Sequence, residues 1–371
     1  MPFMATALAA ETRPAREPRA PKPWTPRRVL LTRSARDWSH GLQIAERAAA
    51  LGVEVIELSS DRVTFDYGDD ERRAYAEAKN TLAVTVASAA KRRLQPIAPS
   101  ADWRVDLAEG CPAHCQYCYL AGSLKGPPIT RTYANVDEIL AELPQYIGKG
   151  RITTRSRHRH HEGTTFEASC YTDPLALEHL TGSLSRLISW FGEGHGDAAL
   201  RFTSKFSDVD ALTRLPHNGR TRMRVSINAR TAVRFEGGTA PVPLRLRAMR
   251  RMVDAGYPVG LTVAPIIADG DWRASYGELF SEVAAALDGA GEVDLTAELI
   301  THRFTPSSKT TLTGWYPGSA LEMDEEQRAE KRTKFGAVKH VYPPELMKEM
   351  RRWFEAELER VLPQARLLYW T

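Results

Sequence analysis

Cysteine is scarce in this chain: there are four in 371 residues, and three of them fall between positions 111 and 118. Such usage excludes a disulfide framework and points to thiols kept reduced in a cytoplasmic setting. Long apolar runs are missing as well. No stretch approaches the ~20 residues of a membrane span, and the N-terminus has no apolar leader core, so no membrane partner is expected. An excess of one charge is also lacking, since 50 Lys and Arg against 46 Asp and Glu leave a formal net charge of +4. That average does not mark a nucleic-acid binder, so the local placement of the arginines must carry any such argument. What remains is an ordinary globular composition, 43% hydrophobic, with length for one large α/β domain and an additional lobe.

Residues 1–27 are rich in Ala, Pro and Arg without apolar periodicity, and read as a disordered tail. Residues 28–97 read as a small N-terminal α/β lobe. In it, strands at Val29–Leu31 and Val53–Leu58 alternate with helices at 42–51 and 70–79. From residue 98 to 371 the alternation continues. Strands are predicted at 104–107, 164–168, 199–203, 222–226, 259–263 and 292–296, with a last one at 367–370. Helices are predicted at 136–147, 173–191, 208–215, 243–255 and 274–287, and a C-terminal helix carries Leu346, Met350, Trp353, Phe354, Leu358 and Val361 at helical spacing. Alternation of this kind predicts a parallel sheet with right-handed crossovers. Roughly six such units make a partial (β/α)6 TIM-type barrel, with its chemistry at the C-terminal strand ends. The cysteine loop, Cys170, Lys205 and Ser226 all fall at or just after those ends.

The run Cys111-Pro-Ala-His-Cys115-Gln-Tyr-Cys118 has the spacing CxxxCxxC. Three thiolates so placed hold three irons of a [4Fe–4S] cluster and leave the fourth iron open to a small molecule. That open iron is the chemical reason to expect reductive cleavage of S-adenosyl-L-methionine (SAM) to a 5′-deoxyadenosyl radical. A zinc site is the alternative, but zinc prefers four ligands. Cys170 lies on another element, which leaves His114 as the one nearby recruit. Tyr117 and Tyr119 flank Cys118, where packing over a cluster and a polar role are both open. Taken alone, Cys170 reads as a small buried hydrophobe, and Lys205 as an ordinary surface lysine.

The stretch Glu109–Tyr119 resembles the radical-SAM signature of spore photoproduct lyases, which are DNA-repair enzymes. The resemblance continues in order through Phe166–Leu175, Phe202–Phe206, Arg224–Asn228, Gly260–Ile267, Glu298–Phe304, Leu321–Glu326 and Val341–Pro343. It implies a radical-SAM carbon–carbon lyase that returns the spore photoproduct, 5-thyminyl-5,6-dihydrothymine, to two thymines. The deoxyadenosyl radical takes hydrogen from C6 of the lesion, and a cysteine thiol, matched by Cys170, gives hydrogen to the resulting thymine-methyl radical. Tyr117 and Tyr119 match the relay back to SAM. Lys205 and Ser226 match positions that contact SAM, and Thr172 stands where the family typically has serine. The partners implied are DNA containing thymine dimers and an electron donor such as flavodoxin or ferredoxin. Nothing suggests a dedicated dimer helix, and a monomer is expected.

Two basic segments bear on DNA. Lys331, Arg332, Lys334 and Lys339 surround Phe335-Gly336 and resemble the family's basic-aromatic hairpin, with phenylalanine in place of the usual tyrosine. Such a wedge helps extrude a base that is inaccessible inside a stacked duplex. Arg151, Arg155, Arg157 and Arg159, with His158, His160 and His161, look like an insertion relative to the family. They read either as a phosphate grip or as a solvated loop. Two other functions stay open: a radical-SAM relative acting on a different nucleic-acid adduct, and a non-catalytic, metal-stabilised DNA-binding protein.

Overall fold

The computed structural model describes residues 22–64, 70–122, 126, 128–153, 158–332, 336 and 338–371. Of the expected tail, residues 1–21 lie outside that set. The remaining 22–27 run along the first lobe: Arg27 N–H donates to Asn80 O at 2.8 Å, and Trp24 packs against the lobe's apolar cluster.

Two sheets organise the chain. The smaller has five strands in the order Glu54–Glu57, Arg28–Leu31, Thr81–Thr85, Thr130–Tyr133 and Ala108–Glu109. It therefore joins the first lobe to the segments that flank the cysteine loop. Its central strands, Arg28–Leu31 and Thr81–Thr85, are apolar on both faces, as buried parallel strands are. Val29 and Leu31 pack with Ile44 and Ala48 of the Ser39–Ala50 helix, and Leu30 and Ala83 pack with Ala78 and Ile129.

The larger sheet has eight strands. Arg366–Trp370, Leu295–Thr301, Val259–Ile266, Thr221–Ile227, Ala198–Ser204, Thr164–Ala168 and Ala101–Val105 are parallel neighbours, and Gln95–Ile97 closes the edge antiparallel. It curls into a half-barrel, the expected partial TIM-type architecture. One face of each strand is apolar and lies under the helices: Phe166, Leu200, Phe202, Met223, Val225, Leu261, Leu295, Ala297 and Leu299 all belong to the main core.

The inward face is charged instead. Arg201 is 1% exposed and donates to Glu162 at 2.5 Å and to Glu298 at 3.2 Å. Arg224 reaches Glu298 at 2.5 Å and pairs with Glu167. Tyr369 Oη donates to Glu298 at 2.9 Å. Arg159 belongs to this lattice: it is buried, bonded to Glu162, and donates to the carbonyls of Pro99 and Ser100. Within the arginine-rich insertion it is therefore a structural residue, not a solvated phosphate grip. Arg155 and Arg157 lie outside the described residues.

Three predicted elements differ from the structure. The strand predicted at 292–296 runs instead over Leu295–Thr301. Glu298 lies on this strand, and its charge is paired inside the half-barrel. The helix predicted at 173–191 is two helices, Pro174–Thr181 and Ser183–Gly192. They part at Gly182, which has φ 65°. There the Glu178 carboxylate accepts from Leu184 N–H at 2.9 Å and Ser185 N–H at 3.0 Å, capping the second helix. The helix predicted at 208–215 is a hydrogen-bonded turn. Val209 and Leu212 are buried as their spacing suggested, but Pro216 disfavours helical geometry at Leu215.

Removing one member of a buried ion lattice leaves the others uncompensated, which costs about 3–5 kcal/mol. Glu298→Ala strips a partner from both Arg201 and Arg224, so chemical denaturation should show a loss of that size. A loss below about 1 kcal/mol, the size of an exposed pair, would contradict the paired-interior account.

Candidate active site

The cysteine loop follows Ala101–Val105 of the half-barrel and Ala108–Glu109 of the smaller sheet, and the chain rejoins the smaller sheet at Thr130–Tyr133. Gly110 makes the turn at φ 74°, and a Cβ there would lie 2.2 Å from the Ile129 carbonyl oxygen. Beyond it, His114–Cys115 pairs antiparallel with Glu236–Gly237, placing Cys115 opposite Glu236. The first lobe holds the loop from the other side. Lys79, 5% exposed, donates from Nζ to the carbonyls of Cys111 and Ala113, both at 2.6 Å. Tyr75 Oη lies 2.9 Å from His114 Nδ1 and is also bonded to Tyr316 Oη. Burial, reinforced by Lys79, lowers the His114 pKa to about 4, so the imidazole is neutral and engaged by Tyr75. Burial pushes the Cys111 thiol up to about 11 and Cys115 higher still. Both are fit for a site where metal ligation supplies the deprotonation.

Behind the loop lies a buried polar knot. Lys205, just past the Ala198–Ser204 strand, donates from Nζ to Glu236 at 2.7 Å and to Tyr117 Oη at 3.1 Å. Tyr117 also donates to Glu236. The second oxygen of Glu236 accepts from Arg245 Nη2 at 2.5 Å, and Arg245 Nη1 donates to Ser226 O at 2.8 Å. Burial opposes charge on Glu236, yet Lys205 and Arg245 together hold its carboxyl below the ordinary range. Burial and Glu236 push the Tyr117 phenol well above its own. The knot thus joins Tyr117, Lys205 and Ser226, three residues far apart in the chain. Asp173 orients Lys205 by accepting from its backbone N–H at 2.7 Å, while its other oxygen accepts from Ser204 Oγ at 2.8 Å.

Cys170 follows the Thr164–Ala168 strand. Ser169 adopts φ 50° and is held on both sides: its N–H donates to Val105 O at 2.7 Å, and its Oγ accepts from Leu107 N–H at 2.9 Å. Tyr119 Oη donates to Cys170 O at 2.8 Å. With Tyr119 66% exposed, this pair lies where a large substrate has access. Burial pushes the Cys170 thiol far up, with Asp106 and Glu167 acting in the same direction, so it is an S–H group at any physiological pH. Thr172 Oγ1 is buried without a hydrogen-bond partner.

Lys331 and Arg332 end the strand Ala329–Arg332, and Lys339 lies on its antiparallel partner Val338–Val341. Lys331 stands directly opposite Lys339, a like-charge pairing that is unfavourable without an anion. Burial, then Arg303 and Lys331, lower the Lys339 pKa. Arg303 lies within electrostatic range of both Lys339 and Tyr119. Lys334 and Phe335 lie outside the described residues.

Comparison with known proteins matches this arrangement to one family. The family model described as spore photoproduct lyase covers residues 24–371. The spore photoproduct lyase of a Geobacillus species is 37% identical over 94% of this chain and 100% of its own length. That of Bacillus subtilis is 36% identical over 94% and 99%. A solved spore photoproduct lyase double mutant with bound AdoMet and dinucleoside spore photoproduct superposes with a TM-score of 0.87 at 37% identity, over 94% of this chain and 100% of that one. Another, complexed with dinucleoside spore photoproduct, gives 0.86. The chain belongs to the spore photoproduct lyase family.

As a spore photoproduct lyase family member it is an enzyme, and its residues suit the two groups such chemistry needs. Cys111, Cys115 and Cys118 are free. Among the described residues no three His, Cys, Asp or Glu side chains converge on a single ion. For SAM, the unpartnered Thr172 and Thr262 hydroxyls, the Lys205 ammonium and Ser226 supply a cation and hydroxyl groups, with Thr262 adjacent to Ser226 in register. Sequence reasoning missed Lys79, Glu236, Arg245, Asp106 and Arg104. Each is a charged residue that is buried or partly buried, and its role shows only in the partners that folding gives it, such as the Cys111 and Ala113 carbonyls for Lys79 and the Lys205 ammonium for Glu236.

Lys79→Met would orphan two buried carbonyls, at about 1–3 kcal/mol each. The cluster-free protein should unfold at lower denaturant by that amount, and iron content after anaerobic reconstitution should fall. Unchanged stability and iron content would mean that Lys79 does not brace the loop.

Proposed function

We propose that this enzyme repairs DNA by returning the spore photoproduct to two thymines, with Cys170 as the hydrogen-atom donor. The observation that carries the reading is a protonated Cys170 thiol beside an accessible Tyr119, in a chain that belongs to the spore photoproduct lyase family over nearly its whole length. Cys111, Cys115 and Cys118 would hold the [4Fe–4S] cluster; when cluster and SAM are bound they supply a 5′-deoxyadenosyl radical that takes hydrogen from C6 of the lesion. Lys205, Thr172 and Ser226 bind and orient SAM. The bond joining the methyl carbon of one thymine to C5 of the other then breaks, which restores the C5–C6 double bond and leaves the unpaired electron on the methyl carbon. Cys170 transfers its hydrogen there, the S–H bond breaking as a C–H bond forms and the unpaired electron moving to sulfur. Tyr119 is poised to restore that hydrogen, and Tyr117, its phenol kept protonated by burial and Glu236, continues the relay toward SAM.

Lys331, Arg332 and Lys339, with Lys334 and Phe335 between them in the sequence, contact DNA at the lesion. The cross-strand lysines meet phosphate, which positions the duplex without reading its sequence. An electron donor such as flavodoxin or ferredoxin reduces the cluster, and the protein acts as a cytoplasmic monomer. No helix among the described residues is long and apolar enough to cross a membrane.

The test is repair of a defined dinucleotide spore photoproduct by the reduced, cluster-loaded enzyme. The intact enzyme should yield thymine, and Cys170→Ala should lower the yield about tenfold or more, as expected when a positioned reacting group is lost, while still cleaving SAM. SAM cleavage with no repair by the intact enzyme would instead favour a different nucleic-acid adduct. For the hairpin, Lys339→Gln should reduce the slope of log affinity against log salt for duplex DNA by about 0.9. An unchanged slope would remove Lys339 from the interface.

A further inference from the structure

Lys79 is a buried cation that, among the described residues, touches no carboxylate. It ends the helix Glu71–Lys79 and is 5% exposed. Its Nζ donates at 2.6 Å to the carbonyl oxygens of Cys111 and Ala113, and lies 5.7 Å from the centroid of the Tyr75 ring. All three of these partners are uncharged. Lys205, by contrast, meets the Glu236 carboxylate at 2.7 Å. Tyr75 stands one turn earlier on the same helix face, so a single turn of the first lobe brings both the ammonium and the ring to the cysteine loop. This setting satisfies the ammonium without neutralising it. The carbonyl oxygens accept from it, the aromatic face attracts it, and the carbonyl end of its own helix favours positive charge.

Bracing the loop needs hydrogen-bond donors, which a neutral amide would supply without the cost of burying a charge. Bracing therefore leaves the charge itself unexplained. Three thiolates make the [4Fe–4S] group they would hold anionic, and one-electron reduction adds a further negative charge. The surroundings resist that addition: Cys115 packs against an apolar cluster of Tyr117, Phe235, Ile267 and Leu321, and an apolar setting disfavours added charge. A cation in the interior, where screening is weak, stabilises the reduced form more than the oxidised one. Local charge is one of the determinants of a cluster's potential.

Resting on the reading of Cys111, Cys115 and Cys118 as cluster ligands, we infer that Lys79 is a redox-tuning residue: its buried charge raises the reduction potential of the cluster, so that a one-electron donor such as flavodoxin or ferredoxin can reduce it. An electron passes from donor to cluster, and no bond is made or broken. The first lobe then has a part in the chemistry besides support of the loop.

The test is the midpoint potential of the cluster, measured by EPR-monitored redox titration of anaerobically reconstituted protein without SAM or DNA. Lys79→Gln keeps N–H donors and loses the charge, Lys79→Met loses both, and Lys79→Arg keeps the charge. In both neutral variants the reduced-to-oxidised ratio at a given potential should fall about tenfold or more, a midpoint lower by about 59 mV for one electron. Lys79→Arg should stay closer to the unaltered enzyme than to either neutral variant. The midpoint is read from loaded protein only, so a lower iron content does not move it. A Lys79→Gln midpoint equal to that of the unaltered enzyme would reduce Lys79 to a brace and overturn the tuning role. So would a Lys79→Arg midpoint as low as that of Lys79→Gln. Failure of both neutral variants to load any cluster would assign the charge to assembly, and would overturn it as well. Unaltered protein that reconstitutes no [4Fe–4S] cluster would instead refute the ligand reading.

Discussion

A half-barrel whose inner face is charged can exist only if each charge is paired within it. The lattice of Arg201, Arg224, Arg159, Glu162, Glu167 and Glu298 meets that condition, with Tyr369 adding a hydroxyl from the last strand. The outward faces are saturated with apolar contacts to helices, so the inner face is where this fold can hold polar chemistry. The site is the upper continuation of the same lattice. Glu167 acts electrostatically on Cys170, and the strand carrying Arg224 has Ser226 as its last residue but one, before Ile227.

From that base the polar groups divide into two knots with different electrostatics. The Lys205–Glu236–Arg245 knot is rich in compensated charge and holds its carboxylate ionised, a setting suited to a zwitterionic cofactor. The Cys170 knot is dominated by burial and carboxylates and keeps its thiol protonated, a setting suited to hydrogen-atom transfer. Tyr117 belongs to the first knot and Tyr119 to the second. The two tyrosines beside Cys118 therefore face different environments, although one residue separates them in the chain.

Most of the architecture was legible in the order of strands and helices, because each outward strand face repeats apolar residues with period two. The strand at Leu295–Thr301 was placed too early in the chain; Leu295, Ala297 and Leu299 alternate with the inward Thr296 and Glu298, but Glu298 finds its partners only through folding. The helix expected at 173–191 hid a break at Gly182, whose capping depends on Glu178 turning back onto the next helix. Arg159 looked like one of many exposed arginines, and only the half-barrel interior shows it to be buried.

The sequence alone determined the cysteine spacing, the single separate thiol and the strand-end positions that gather them on one rim. Those follow from local pattern, which a linear chain displays openly. Only tertiary structure decided which cations are structural and which are free to meet substrate. It also decided that burial keeps Cys170 protonated and that Lys79 from the first lobe braces the cysteine loop. Each of these depends on burial and on partners brought together by folding, and neither burial nor pairing at long range is written in local sequence.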